Sequence, residues 1–335
     1  MRACRLLAGL ALLLATGCAA EERTAPPPPP SPTASDPATP TRSASPPAPA
    51  PTRSASPPAA APTRGVRPAD LDVSRAVRTV RHLAGEIGPR HAPSPAFREA
   101  ARWVGDELTR LGYRTRRQRF EVPAGVSWGV PVEAGRSVNV VATPRGFDSA
   151  RPHLVVGAHL DTVPQAPGAE DNASGVGVLL AVAAAVRDHR TRLPVRFVAF
   201  GAEEPRGPGD DDHHYGSRVY VERLGPAQRR AVRGMVSLDR VGVGSVVPIG
   251  SAAEGGDPGQ RRVLAAADRA GVPAQAGFNR SSDHWSFVRA GLPGVRIGST
   301  PYAAYHSPDD LPGVVDRAQL RRAGRVVLAW LSPPD

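Results

Sequence analysis

The chain has 335 residues with a formal net charge of +11, 41 % hydrophobic and 5 % aromatic residues, and 38 prolines. Its length allows two domains, but the first seventy residues are too poor in large apolar side chains to bury a core, which leaves about one domain of ordinary sequence. All the positive charge is arginine, without a basic helix, an aromatic-interleaved basic strand or a zinc-finger spacing beside it; nucleic acid is therefore not an expected partner, whereas anionic envelope polymers or headgroups are.

At the amino end, Arg2 and Arg5 precede the apolar run "LLAGLALLLA", which closes in "ATGC". The run is shorter than a membrane span and has the charge layout of an export signal. Thr16 and Gly17 before Cys18 resemble the lipobox of bacterial lipoproteins. The resemblance implies a signal over 1–17, lipidation of Cys18 and a membrane-anchored protein facing outside the cytoplasm; plain secretion is the alternative. Cys4 and Cys18 are the only cysteines, so no disulfide framework supports the fold and stability must come from packing.

Residues 18–69 are rich in Pro, Ala, Ser and Thr, and "PTRSASPPAPA" at 40–50 recurs as "PTRSASPPAAA" at 51–61. Such a tract does not offset chain entropy by burial and favours extended polyproline II segments, reaching on the order of 150 Å. It reads as a stalk ahead of a domain over 70–335. There, "SPAFREAARWVGDELTRLG" from 94 has a Ser cap, a Pro in the first turn, Trp103, Val104, Leu108 and Leu111 on one face, and a closing Gly112, which predicts an amphipathic helix. "RTRRQRFEV" reads as an exposed edge strand.

The runs "SVNVVAT", "HLVVGAH", "VRFVAFGAEE", "MVSLDRVGV" and "GVRIG" read as further strands, interleaved with helices at 173–187, 258–270, 283–290 and 316–331. Near-continuous apolar strands separated by helices predict an α/β fold: a mixed, mostly parallel central sheet covered by helices on both faces. The helix after Asp171 is apolar almost all round, and Gly175 and Gly177 would let it approach the sheet closely, which marks it as a buried central helix. Sites of this fold class lie beyond the carboxyl ends of the strands.

That rim collects chemistry. His159 and Asp161 follow "LVVGA", Asp171 precedes the buried helix, Glu203 and Glu204 follow "VRFVAFGA", Asp239 follows "GMVSL", and His306 follows Tyr305. Several carboxylates converging without cations would repel strongly and take up protons. Divalent metals remove that objection, and imidazole with carboxylate ligands suits catalytic zinc.

"GAHLDTV", "EDNASGVGVLL", "FGAEE", "SLDRVG", "SDHWSFVRAGLP" and "YHSPDD" occur in an order and spacing that resemble the M28 family of co-catalytic zinc peptidases. The resemblance covers roughly residues 75–332, and the combination is far more specific than any single motif. It implies two Zn²⁺ per chain: His159 and Asp239 on one, Glu204 and His306 on the other, and Asp171 bridging. It further implies that Asp161 orients the His159 ring, that the Asp171–Asn172 peptide is cis, and that Glu203 is the general base for a metal-activated water attacking a peptide carbonyl. Tyr305 would donate to the developing oxyanion. An acidic rim of Glu203 and Asp239 would hold a substrate α-amino group, which favours an aminopeptidase acting on peptides.

Departures from the pattern are local. "PRGPGDDDHHYGS" intervenes after "GAEE" and reads as a solvated loop, with an edge of the substrate cleft as the minority reading. Arg240 places a cation beside Asp239, where relatives often carry an apolar residue. Arg280 and Asp283 are either cleft residues or a surface ion pair with a helix cap. His82, His91, His153 and His189 are expected at the surface or partly buried, and His284 stays outside the metal set. Two alternatives stand beside the peptidase: a glutaminyl cyclotransferase working with one zinc on this fold, and a non-catalytic surface binding module.

Overall fold

The computed structural model describes residues 64–333. The expected signal over 1–17, Cys18 and all but the last residues of the linker lie outside the described residues. Packing begins ahead of residue 70: Val66 is buried and Gly65 bridges to Arg190.

The helices are α1 (Val73–Val80), α2 (Pro95–Arg110), α3 (Gly175–Arg187), α4 (Tyr215–Glu222), α5 (Pro226–Ala231), α6 (Pro258–Arg269), α7 (His284–Arg289) and α8 (Arg317–Leu331). The strands are β1 (Arg114–Val122), β2 (Gly125–Ser127), β3 (Val130–Val132), β4 (Gly135–Thr143), β5 (His153–His159), β6 (Val195–Phe200), β7 (Val232–Leu238), β8 (Val247–Ser251), β9 (Ala274–Phe278) and β10 (Val295–Ile297). β2 and β3 form a small hairpin, and the other eight strands make one sheet ordered β1-β4-β6-β5-β7-β10-β8-β9. The centre, β6-β5-β7-β10, is parallel throughout, as is β8-β9, while β1-β4, β4-β6 and β10-β8 are antiparallel.

Alternation along the central strands feeds two apolar layers. Val140, Leu154, Val156 and Phe197 join the larger core, beneath residues of α1, α2, α3, α6 and α8. Val141, Val155 and Val198 face the other way, against Tyr220 and Val221 of α4 and Phe287 of α7. The mixed sheet with helices on both faces is thus the expected architecture. α2 starts as its sequence requires: the Ser94 hydroxyl accepts from the Phe97 N–H at 3.0 Å, with Pro95 following. β1 is the sheet edge, and its arginines point outward.

α3 carries the geometry that matters for function. Eleven of its residues are buried, so its apolar perimeter is core. A Cβ at Gly175 would lie 2.4 Å from the Leu238 carbonyl of β7, but at Gly177 it would meet the Ala76 carbonyl of α1 at 2.8 Å. Only the first glycine therefore serves contact with the sheet, and the second serves helix-on-helix packing.

Candidate active site

All but one of the candidate ligands and the base are delivered by the end or the start of an element. His159 is the last residue of β5, Glu203 and Glu204 follow β6, and Asp239 follows β7. Asp171 lies in the kinked segment Ala169–Ser174 that leads into α3, with non-helical dihedral angles at Asp171 and Asn172 and a cis peptide between them. His306 sits in the loop after β10. All of them line one cavity, with Trp128, Arg240, Trp285 and Tyr305 at its walls.

Asp171 stands between the two imidazoles. Its Oδ1 is 3.1 Å from His159 Nε2 and its Oδ2 is 3.1 Å from His306 Nε2. Asp239 Oδ1 lies 3.8 Å from His159 Nε2, and Glu204 Oε2 lies 3.7 Å from His306 Nε2. Tetrahedral zinc with bonds of about 2.0–2.1 Å keeps its ligand atoms roughly 3.3 Å apart, and these spacings bracket that value. Donor atoms of His159, Asp171 and Glu204, and separately of His159, Glu203 and Asp239, fall within 4.8 Å of one another. Asp171 Oδ1, Glu204 Oε1 and His306 Nδ1 are buried without a hydrogen-bond partner. Buried polar atoms are rarely left so; a donor set of imidazole and carboxylate with unspent lone pairs fits zinc.

The model of peptidase family M28 matches residues 139–331, more than half of the chain. The chain belongs to peptidase family M28. Aminopeptidase YwaD of Bacillus subtilis is 29 % identical over 208 residues, 58 % of this chain and 44 % of that protein. The M28 chain spans half or less of the length of the curated relatives it matches, from 50 % down to 18 %. Among solved structures, BSAP, a zinc aminopeptidase from Bacillus subtilis, superposes with a TM-score of 0.69 at 19 % identity, over 78 % of this chain and 94 % of that one. The glutaminyl cyclase of Fimbriiglobus ruber superposes with a TM-score of 0.67 at 24 % identity, over 78 % and 95 %. At such identities the two structures speak to the fold alone.

The expected arrangement needs correcting at several points in this M28 chain. The Asp161 carboxylate does not reach the His159 ring, whose Nδ1 is 3.9 Å from Oδ1 and 3.2 Å from the Asp161 backbone carbonyl. Instead it accepts the N–H groups of Glu203 at 3.0 Å and Glu204 at 3.2 Å. Asp161 therefore fixes the backbone that presents both glutamates, and its own carbonyl orients the histidine. The acidic loop after Glu204 is not merely solvated: Asp210, His213 and His214 line the cavity, and His214 Nε2 is 3.1 Å from Glu203 Oε1. Asp283 is neither a surface ion pair nor a cap; it is fully buried with both carboxylate oxygens unpartnered. Burial, reinforced by Glu203, pushes its carboxyl up to about 7. Arg280 lines the cavity, flanked by Phe278 and Trp285. His153 is fully buried rather than superficial, edge-on to Phe147.

Charge is balanced unevenly across the site. Burial disfavours the charged form of Asp239, but Arg296, His159 and Arg240 outweigh it and hold the carboxyl well below its usual range. Burial also acts on Glu204, where neighbouring Asp171 and Glu203 add to it and push the carboxyl well above its usual range. For Glu203, His159 and His214 prevail over burial and keep the carboxyl low. The acidic rim expected of Glu203 and Asp239 is thus neutralised at Asp239.

Arg240 sits where expected, Nε 3.5 Å from Asp239 Oδ1, with its guanidinium over the Tyr305 ring. Tyr305 stacks on His306 with ring centroids 3.6 Å apart, is 37 % exposed and lines the cavity. Asn172 ties the pieces together: its Nδ2 donates to the Leu238 carbonyl, and its Oδ1 accepts from the N–H groups of Gly175 and Arg240. Asp310, the last residue of "YHSPDD", accepts the N–H groups of Glu170 and Asp171. Trp128, Ala202, His214, Arg240 and His306 all have positive φ, from 47° to 57°. Four of the five line the cavity and Ala202 directly precedes Glu203; left-handed backbone in non-glycine residues costs energy and collects at functional sites.

Proposed function

We propose that this chain is a zinc-dependent aminopeptidase that removes amino-terminal residues from peptides, with His159 and Asp239 in one half of a two-zinc site, Glu204 and His306 in the other, and Asp171 between them. The observation that carries the reading is Glu203. Its carboxylate is buried beside the donor cluster and held by His214 at 3.1 Å, so a base stands next to the ligands on a backbone pinned by Asp161. Zinc bound there would polarise a carbonyl and acidify a water. Glu203 takes the proton of the attacking water and passes it to the leaving amine. Tyr305 donates its hydroxyl toward the developing oxyanion. His214 and Asp161 keep the base and its neighbour in register.

Glutaminyl cyclisation is the second reading, supported by the same fold in the Fimbriiglobus ruber enzyme. Export and lipidation of Cys18 complete the proposal, on the "ATGC" motif and the linker behind it.

The test uses the full chain loaded with zinc and assayed on amino-acid p-nitroanilides, dipeptides and peptides with amino-terminal Gln. Release of p-nitroaniline is expected, and Glu203→Gln should retain zinc yet lose turnover by at least about a hundredfold. Full activity of Glu203→Gln would exclude it as the base, and cyclisation without hydrolysis would favour the second reading.

A further inference from the structure

Two adjoining cavities open at the end of the sheet opposite the donor cluster. Arg192 stands just ahead of β6, whose other end leads to Glu203, and its backbone N–H donates to the Leu331 carbonyl at the close of α8. Arg192, Arg262 and Arg269 line one cavity; Arg67, Arg190, Arg269 and Arg325 line the other, and Arg269, Ser332 and Pro333 belong to both. Among the described residues, no aspartate or glutamate lines either cavity. Asp70 and Asp188, near Arg67 and Arg190 in sequence, pair instead with Arg64 at 2.8 Å and Arg187 at 2.7 Å. None of the six arginines forms an ion pair among the described residues.

Helix ends account for half of this cluster. Arg192 donates to the Trp330 carbonyl at 2.8 Å, Arg269 to Ala329 at 3.1 Å and Arg325 to Ala270 at 2.6 Å, which sets cations at the negative ends of α8 and α6. Arg67, Arg190 and Arg262 are exposed and have no such task. Burial, and then the charges of Arg262 and Arg269, press the Arg192 guanidinium below its ordinary pKa, so these cations crowd one another without a counter-charge. Phosphate oxygens would supply it, because a guanidinium offers two parallel N–H groups to them. The chain also enters the domain here: the Arg190 N–H donates to the Arg64 carbonyl and the Val66 N–H to the Arg190 carbonyl. Residues 18–63 therefore join the domain at the rim of the arginine face.

We infer that this arginine face rests on the anionic headgroups of a phospholipid bilayer, with the candidate active site turned to the opposite side. Each arginine brought to such a surface strengthens partitioning about fivefold, and salt weakens it. An anchor at Cys18 and the arginine face would then engage one surface, because the linker joins the domain on that side. The face itself depends on neither lipidation nor zinc, so it stands or falls apart from the function proposed above.

The test is co-sedimentation of the full chain carrying Cys18→Ser with two kinds of vesicle, phosphatidylcholine alone and an equal mixture of phosphatidylcholine and phosphatidylglycerol. Stronger binding to the mixed vesicles is expected, and high salt should abolish the difference. Arg67→Gln, Arg190→Gln and Arg262→Gln together should weaken binding to the mixed vesicles on the order of a hundredfold, with an unchanged circular dichroism spectrum. If the triple variant does not fold, Arg262→Gln alone decides, with a loss of about fivefold. Arg114→Gln, Arg116→Gln and Arg117→Gln together, on the exposed edge strand β1, are the control and should leave binding nearly unaltered. Equal binding to both vesicles, or equal losses in the two triple variants, overturns the inference. So does binding to soluble polyphosphate without binding to vesicles, which would make an anionic polymer the partner. Vesicle binding through these arginines by a chain that hydrolyses nothing would sink only the enzyme reading.

Discussion

Gly175→Ala isolates the contact on which the site's shape depends. The added methyl would sit 2.4 Å from the Leu238 carbonyl oxygen and 2.4 Å from Asn172 Oδ1, where ordinary contact begins at 3.4 Å. α3 and β7 must therefore separate by about 1 Å, or the Asn172 amide must abandon its bonds to Leu238, Gly175 and Arg240. Overpacking of this kind costs about 1–3 kcal/mol, offset by about 0.5–1 kcal/mol from replacing a helical glycine, for a net loss of about 0–2.5 kcal/mol. The larger effect is on function, because Asn172 follows Asp171 and Leu238 precedes Asp239. A shift of about 1 Å between catalytic groups costs on the order of a hundredfold in rate.

Gly177→Ala is the control. Its methyl would meet the Ala76 carbonyl at 2.8 Å, so it strains α1 against α3 and should lower stability without moving the ligands apart. Urea denaturation and kcat/KM measured on both variants separate the two effects. Gly175→Ala with parental kcat/KM would refute the idea that this close approach sets the ligand geometry.

Asp161→Ala leaves the N–H groups of Glu203 and Glu204 buried without acceptors; at about 1–3 kcal/mol each, stability should fall by roughly 3 kcal/mol and turnover with it, and an unchanged urea midpoint would contradict this. Burial lowers the His284 imidazole to about 4, below its ordinary 6.5, so the native state prefers neutral His284, whose stabilisation is complete above pH 6.5 and drains away as pH falls toward 4. Between pH 7 and 5 the parent should lose about 2 kcal/mol more than His284→Gln in urea denaturation; parallel pH profiles would show that His284 is not the responsible group. Zinc added to the stripped chain at a hundred times its dissociation constant should stabilise the fold by about 2.7 kcal/mol, read as a rise in Tm that a chelator reverses; no shift would argue against a native-state metal site.

Much of the fold was legible because its strongest elements are periodic. α2, α6 and α8 follow helical spacing with side-chain caps at Ser94, Asp257 and Asp316, α3 is one long apolar run, and β5, β6 and β7 are continuous apolar runs whose carboxyl ends bear the chemistry. β8 and β9 went unrecognised because "VPIGS" holds a proline and a glycine and "AQAGF" is largely exposed, so neither shows a buried period. Most ligand candidates were legible because they stand at or beside an element end, and His306 because it lies in the "YHSPDD" motif. Arg296 was not, because it lies inside a three-residue strand and owes its meaning to the parallel pairing with β7. His214 is not legible either, since nothing in "PGDDDHHYGS" indicates that the chain folds back over Glu203. The family resemblance pairs Asp161 with His159, but the sheet brings its carboxylate under the Glu203 and Glu204 amides instead.

The left-handed residues around the cavity set a limit on how this protein can be improved. Glycine at Ala202 would relieve a local torsional cost of about 1 kcal/mol, yet it would also free the peptide that aims Glu203. Screening for heat resistance and screening for turnover would thus select different residues at the same position.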